Sequence, residues 1–204
     1  MTIQTEFLDK LVLGYQGVAQ KWECDNMGHL NVSHYFGRSS DQAFFTRHAL
    51  GLDPAALRGS GHGTVALEEH CRFHREVTSG DMMVGRSAVI EPRERTMVVY
   101  QEFRDAKNAL QTSFRTVIGF FDTKARRLMP WPEATREKAA KLTIDLPDHA
   151  APLRVPAGGA VGQVSREMSI AEGFFRSGGT GINSWECDQF GHMNTMFYAR
   201  RQTE

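Results

Sequence analysis

Trp22-Glu23-Cys24-Asp25-Asn26-Met27-Gly28-His29-Leu30-Asn31-Val32-Ser33-His34-Tyr35 is written twice in this chain. It returns without a gap as Trp185-Glu186-Cys187-Asp188-Gln189-Phe190-Gly191-His192-Met193-Asn194-Thr195-Met196-Phe197-Tyr198. Eight of the fourteen aligned positions are identical at an offset of 163 (Trp, Glu, Cys, Asp, Gly, His, Asn and Tyr), where unrelated sequence would match at about one. The chain therefore reads as a duplicated unit of which only the opening of the second copy is present. Residues 1–145 form the first domain, 146–164 a linker, and 165–204 the start of a second, incomplete repeat. The linker rests on Pro147, Pro152, Pro156 and Gly158-Gly159, which suit no regular element. The tail supplies one strand and the first turns of a helix, which cannot enclose a core alone. Its aromatic residues, among them Phe174, Phe175 and Phe190, must pack elsewhere.

Downstream of the first motif, residues 31–50 carry Val32, Tyr35, Phe36, Ala43 and Phe44 at helical spacing, with Asn31 placed to cap the start and Gly51 to end it. Upstream, residues 11–22 alternate loosely as a first strand. Residues 64–77 read as the next strand, and Thr78-Ser79-Gly80-Asp81 supplies a turn before a strand over 82–90. Residues 92–95 and 105–108 are further turns, flanking strands over 96–104 and 109–121 rich in β-branched and aromatic residues. Residues 133–142 read as a short amphipathic helix. One strand, one long helix and then a meander of four strands is an α+β arrangement, an antiparallel sheet with a helix segregated onto one face.

That order, with Asp-x-x-Gly-His-x-Asn-x-x-x-Tyr (Asp25, Gly28, His29, Asn31, Tyr35) at the strand-to-helix junction, resembles the hotdog fold, in which an antiparallel sheet wraps one long central helix. Within that fold it is similar to the acyl-CoA thioesterases related to 4-hydroxybenzoyl-CoA thioesterase, over about residues 8–135. The repeat adds the character of a truncated tandem, or double-hotdog, member. The resemblance implies hydrolysis of a small or medium acyl-CoA thioester to free acid and CoA, with Asp25 as the catalytic carboxylate and Gly28 and His29 beside it. Asp188, Gly191 and His192 are the second-copy equivalents, and Asn31, Tyr35 and Glu69 are expected to meet substrate. No cofactor and no metal are expected, coenzyme A being part of the substrate. Hotdog sites are built between paired domains, so a homo-oligomer, dimer or tetramer, is expected as well. Two other readings stand beside this one. An enoyl-CoA hydratase or dehydratase of the same fold has a signature resembling Asp-x-Asn-Pro-x-His, and Asp25-Asn26-Met27-Gly28-His29 lacks the Pro and is one residue shorter. A non-catalytic acyl-CoA-binding module would use the motif only to shape a pocket.

Thioester hydrolysis needs a group that attacks or activates water and a group that stabilises charge on the carbonyl oxygen. A helix N-terminus supplies the second through its free amides, and Gly28 would let the backbone approach the acyl group. An ordinary Asp, with a pKa of about 3.9, is a weak base at neutral pH, so Asp25 acts as a nucleophile or has its basicity raised by burial. Asp ahead of a helix also serves as a turn or cap residue, Asn31 as an N-cap, and Tyr35 as core. Glu68 and Glu69 lie on opposite strand faces, so only one can point to a cleft. His70-Cys71-Arg72-Phe73-His74 lacks a complete metal-ligand set. Arg72, Arg75, Lys124, Arg126 and Arg127 suit either CoA phosphates or solvent.

Composition narrows the classes further. Of 204 residues 41% are hydrophobic, and 24 Lys+Arg balance 24 Asp+Glu, which gives no electrostatic footprint for nucleic acid or an anionic membrane. No apolar run approaches the roughly 20 residues that span a bilayer, and the first ten residues, with Glu6 and Asp9, do not read as a secretory signal. Cys24, Cys71 and Cys187 match neither a disulfide framework nor a zinc knuckle. A cytoplasmic location is expected.

Overall fold

The computed structural model describes residues 10–152, 165–173, 181–188 and 191–203. Most of the expected linker, 153–164, lies outside these, as do Phe174, Phe175 and Phe190. The chain divides into two compact units, residues 1–151 with 195–204, and residues 152–194. In the first unit, β1 (Val12–Val18) leads through a 3-10 turn (Lys21–Glu23) to the long helix α1 (Val32–Ala49). The four-residue helix α2 (Pro54–Leu57), β2 (His62–Phe73), β3 (Met82–Pro92), β4 (Thr96–Arg104), β5 (Leu110–Asp122), β6 (Arg127–Met129) and α3 (Glu133–Lys141) follow. The strands make one antiparallel sheet in the order β1-β3-β4-β5-β2. β6 pairs with β5 just where β4 has ended at Thr96. This is the expected α+β arrangement of an antiparallel sheet around one long helix.

Local chemistry sets the helix ends. Asn31 Oδ1 accepts from the Ser33 amide at 3.1 Å, capping α1, and Gly51 turns the chain away at φ +77°. The strand over 64–77 is shorter than expected. Beyond Phe73 the amides of His74 and Arg75 both turn to the Gln111 carbonyl, and β5, which begins at Leu110, has no further ladder to offer. The first strand likewise ends early, at Val18, because residues 20–23 close a capping box in which Glu23 Oε2 accepts from the Gln20 amide.

The face α1 presents to the sheet differs from the apolar one its spacing predicts. Ser33, Tyr35, Ser39, Gln42 and Thr46 are buried, whereas Phe44 is 43% exposed. Gln42 is wholly enclosed: its Oε1 accepts from the Tyr15 amide at 2.8 Å, and its Nε2 donates to the Val12 carbonyl and to Ser87 Oγ. These bonds fill the irregularity in the β1–β3 register between Leu13 and Gln16. Gly14 and Gly85 make the approach possible, since a Cβ at either would lie 2.5 or 2.7 Å from Gln42 Oε1. Apolar packing surrounds this polar seam. Leu30, Tyr35, Met83, Phe103 and Phe114 form one cluster, and Leu50, Val89, Met97, Phe120 and Trp131 another. Residues Ile144 and Ala150 close over Ala88 and Tyr100 in a third.

Within residues 152–194, α4 (Arg166–Ala171) is capped by Ser165, and a 3-10 turn over Ser184–Glu186 repeats the turn that follows β1. Glu186 Oε2 accepts from the Asn183 amide at 2.7 Å as Glu23 does from Gln20 at 2.9 Å. Cys187 pairs with Met193 as Cys24 pairs with Leu30. A helix, α5 (Thr195–Thr203), comes next in the chain as α1 does in the first copy; it groups with the first unit, where it packs along α1. No helix among the described residues is long and apolar enough to cross a membrane.

Candidate active site

Asp25 sits in a loop closed at its base by the Asn31 amide on the Glu23 carbonyl (2.9 Å) and internally by the Asp25 amide on the His29 carbonyl (2.8 Å). Its Oδ1 accepts from the amides of Met27 (2.9 Å) and His29 (3.0 Å), an Asx-type turn. Oδ2 takes no hydrogen bond among the described residues, and the side chain is exposed. The amide cradle therefore fixes one oxygen and projects the other. Gly28 sits at φ +86°, and a Cβ there would meet nothing within 4 Å, so glycine serves the backbone conformation rather than a close approach.

A cleft of about 350 Å³ opens beside this loop. Asp25 and His29 form one rim, Val32 and Tyr35 of α1 the floor, and residues 73–76 after β2 the other wall. Among its apolar residues, with Leu30 and Val32, is Phe73, 52% exposed and set edge-on to the buried Tyr35 ring at 5.0 Å. Burial pushes the Tyr35 hydroxyl up to about 12, against an opposing backbone hydrogen bond from Val77, so it stays protonated at neutral pH. His29 Nε2 lies 3.5 Å from Glu76 Oε2 across the mouth. Burial lowers the His74 ring, which meets Ser113 Oγ at 2.9 Å. At the helix end, Asn31 occupies the Ser33 amide and the Asn31 carbonyl takes the His34 amide. The Val32 amide donates to no group among the described residues, and Val32 lines the cleft.

The structure thus brings Asp25, His29 and Tyr35 to one cleft. Gly28 shapes the loop, four residues ahead of Val32 rather than at the helix's first turn. Asn31 spends its side chain on the cap and on Ser33 Oγ (2.9 Å). Glu69 lies apart, on the face of β2 that meets α1, where its carboxyl is 2.7 Å from Ser39 Oγ; Glu68 points the other way, to Arg115. Asp188, Gly191 and His192 reproduce the loop locally, with the His192 amide on Asp188 Oδ1 at 3.1 Å and Gly191 at φ +75°. No group of three or more His, Cys, Asp or Glu side chains among the described residues is arranged to hold a metal ion. Behind the loop, Glu23 pairs with Arg38, which lies beyond the fourteen-residue motif. The repeat extends beyond Tyr35 to Arg38, matched by Arg201 at the same offset.

The sequence pattern of the thioesterase-like superfamily matches residues 18–139. The chain belongs to that superfamily. Among curated protein sequences none matches significantly. Solved structures share the fold at low identity. An acyl-ACP thioesterase from Bacteroides thetaiotaomicron is 15% identical over 97% of this chain and 74% of its own, with a TM-score of 0.74. A Staphylococcus aureus protein solved in complex with CoA is 16% identical over 72% of this chain and 96% of its own, with a TM-score of 0.64. The DHNA-CoA thioesterase of Staphylococcus aureus is 14% identical over 65% and 90%, with a TM-score of 0.59. The superfamily member therefore has the hotdog fold that its motif implied.

Proposed function

We propose that this protein hydrolyses a small or medium acyl-CoA thioester to the free acid and CoA, with Asp25 as the reacting carboxylate. The observation that carries the reading is the arrangement of Asp25: one oxygen held by two amides, the other unengaged, at the rim of a cleft also lined by Val32, the first residue of α1, whose amide donates to no group among the described residues. A thioester carbonyl seated over the start of α1 meets that amide and the positive end of the helix dipole, which stabilise the developing oxyanion. Asp25 Oδ2 then attacks the carbonyl carbon, the C–S bond breaks, the CoA thiolate leaves, and water hydrolyses the acyl-enzyme anhydride. In the alternative course Oδ2 takes a proton from a water that attacks the carbonyl directly. Incorporation of labelled water oxygen into the carboxylate in a single turnover separates the two. The chemistry calls on no cofactor, coenzyme A arriving with the substrate, and a CoA complex of a structural neighbour supports that ligand class.

Pairing with a second copy of the fold belongs to the same reading. Along α1 and α5, Ser40 Oγ meets Thr195 Oγ1 at 3.2 Å, Met196 Sδ lies 3.5 Å from a Cβ built on Gly37, and Arg200 acts on the His34 ring. Positions rise on one helix as they fall on the other, so the two run antiparallel. At the repeat offset Thr195, Met196 and Arg200 stand for Val32, Ser33 and Gly37, so α5 offers α1 the surface that a second α1 would, as in an isologous contact. A dimer or tetramer built this way is tested by light scattering, and three free thiols suit a cytoplasmic location.

The deciding assay is free-thiol release across an acyl-CoA panel. Asp25→Asn keeps an Oδ1 acceptor for the two amides and should lower kcat by about 10³–10⁴. Full activity in that variant overturns the residue assignment. Calorimetric binding without turnover would point to an acyl-CoA-binding module instead, and loss of enoyl absorbance to a hydratase.

A further inference from the structure

We propose that Glu23 and Arg38 form a positioning clamp that holds the Asp25 loop in register with the N-terminus of α1. The proposal rests on the assignment of Asp25 above. The loop is stiff within itself, through the Cys24–Leu30 pairing and the Asp25–His29 closure, but it joins α1 only at its base. One flank is pinned to the chain after β2, where the Leu30 amide donates to the Val77 carbonyl at 2.7 Å and His29 pairs with Thr78. The opposite flank is held by Glu23. Its Oε2 accepts from the Gln20 amide and from the Arg38 guanidinium, and His34 Nδ1 lies 3.7 Å from Oε1.

This ion pair differs from an ordinary surface pair. The two side chains are only 11% and 12% exposed, so their attraction is little screened, and the guanidinium lies over the Tyr15 ring at 5.3 Å, which limits its swing. Burial pulls the Glu23 carboxyl upward, yet its hydrogen bonds with Arg38 and Gln20 hold it below the ordinary glutamate range. Arg38 stands about two turns, roughly 10 Å, along α1 from Asn31. A backbone bond at the helix start plus a side-chain bond two turns further on fixes the rotation of the loop about the helix end, which the base alone cannot do.

The internal repeat supplies an independent observation. Of residues 36–41, Arg38 alone is identical to its counterpart 163 positions later, and Glu23 is matched by Glu186. Glu186 caps the Asn183 amide as Glu23 caps Gln20. Neither Glu23 nor Arg38 lines the cleft, so the pair acts on the reaction through the loop it holds.

The test uses the full chain and the variants Glu23→Gln, Arg38→Gln, the double variant and Arg38→Lys. Each single neutral variant should lower kcat about 10- to 100-fold with KM within roughly threefold, the size expected for a reacting group displaced by about 1 Å. The double variant should lose no more than either single one, and Arg38→Lys should recover part of the loss. Exchange of the Met27 and His29 amides, which cradle Asp25, should quicken at least about tenfold against core amides of β4. A folded Arg38→Gln protein with kcat within twofold of wild type, losses that multiply in the double variant, or unchanged exchange at Met27 and His29 would each overturn the clamp. If the unaltered protein cleaves no thioester, the function assignment fails and the exchange measurement still decides the clamp. Should Arg38→Gln not fold, Glu23→Gln carries the same measurements.

Discussion

Replacing Gln42 by Leu tests whether α1 is held to the sheet by hydrogen bonds rather than by oil. Leucine roughly fills the same space but offers no polar atoms. It strands the Tyr15 N–H and the Val12 carbonyl, which Gln42 serves at 2.8 and 3.0 Å, while Ser87 Oγ keeps Thr46 Oγ1 at 2.7 Å. An orphaned buried polar group costs about 1–3 kcal/mol, so two of them sum to about 2–6 kcal/mol. Both lie on the edge strand β1, at half-buried Val12 and Tyr15, and water relieves part of the penalty. A loss of about 2–4 kcal/mol is expected, which for a chain of this size lowers Tm by roughly 5–15 °C. Urea unfolding followed by circular dichroism, with a thermal melt alongside, measures it. A Gln42→Leu protein within 0.5 kcal/mol of wild type would refute the reasoning and return the credit for docking α1 to its apolar neighbours.

Glu69 gives a pH signature. Burial raises its carboxyl above the ordinary range, against the nearby Ser39 hydroxyl. Ser39 Oγ lies 2.7 Å from Glu69 and 2.6 Å from Gln101 Oε1, and its one proton can serve only one of them, so the neutral acid supplies the second. The folded state then favours protonated Glu69: its contribution is fully present below the unfolded carboxyl pKa and is lost as pH rises through the raised folded value. Urea midpoints of wild type should fall over that window, and Glu69→Gln should remove the fall; parallel profiles would sink this account. Gly28→Ala should cost about 1–2 kcal/mol from the left-handed backbone alone, since the added methyl touches nothing, and should lower kcat more than it raises KM. An unchanged melting curve would show that the loop tolerates a different φ.

What was legible in the chain was the chemistry that acts over a few residues. Asn31 as cap, Gly51 as stop, the turn at 105–108 with Asn108 at φ +65°, and β4 at Thr96–Arg104 all follow from local bonding. The repeat pointed to Asp25 because a short motif written twice outweighs its low specificity. Less legible were features that depend on partners distant in sequence. Apolar spacing picks out Phe44 as inward, yet the sheet opposite α1 offers Ser87, Gln101 and open backbone groups, so Ser39, Gln42 and Thr46 turn in. Three-residue β6 pairs along the one edge of β5 that β4 leaves open beyond Thr96, the other edge being taken by β2. The carboxylate of Glu69 reads from the sequence as a substrate contact, while β2 places it beside Ser39, outside the lining of the cleft. Arg38 escaped because its role needs Glu23 folded back beneath it.

A helix seated on leucines can slide or roll a few degrees at little cost, because greasy contacts are interchangeable. α1 has no such freedom: Ser39, Gln42 and Thr46 each fit particular groups of the sheet, like the teeth of a key among pins. Any creep along or about its axis breaks directional bonds together. The end that would receive a carbonyl oxygen is therefore aimed by side chains buried two to four turns away, and differences in what the cleft accepts have to come from the side chains of its far wall, Phe73, His74, Arg75 and Glu76, while the barrel of the helix stays sighted.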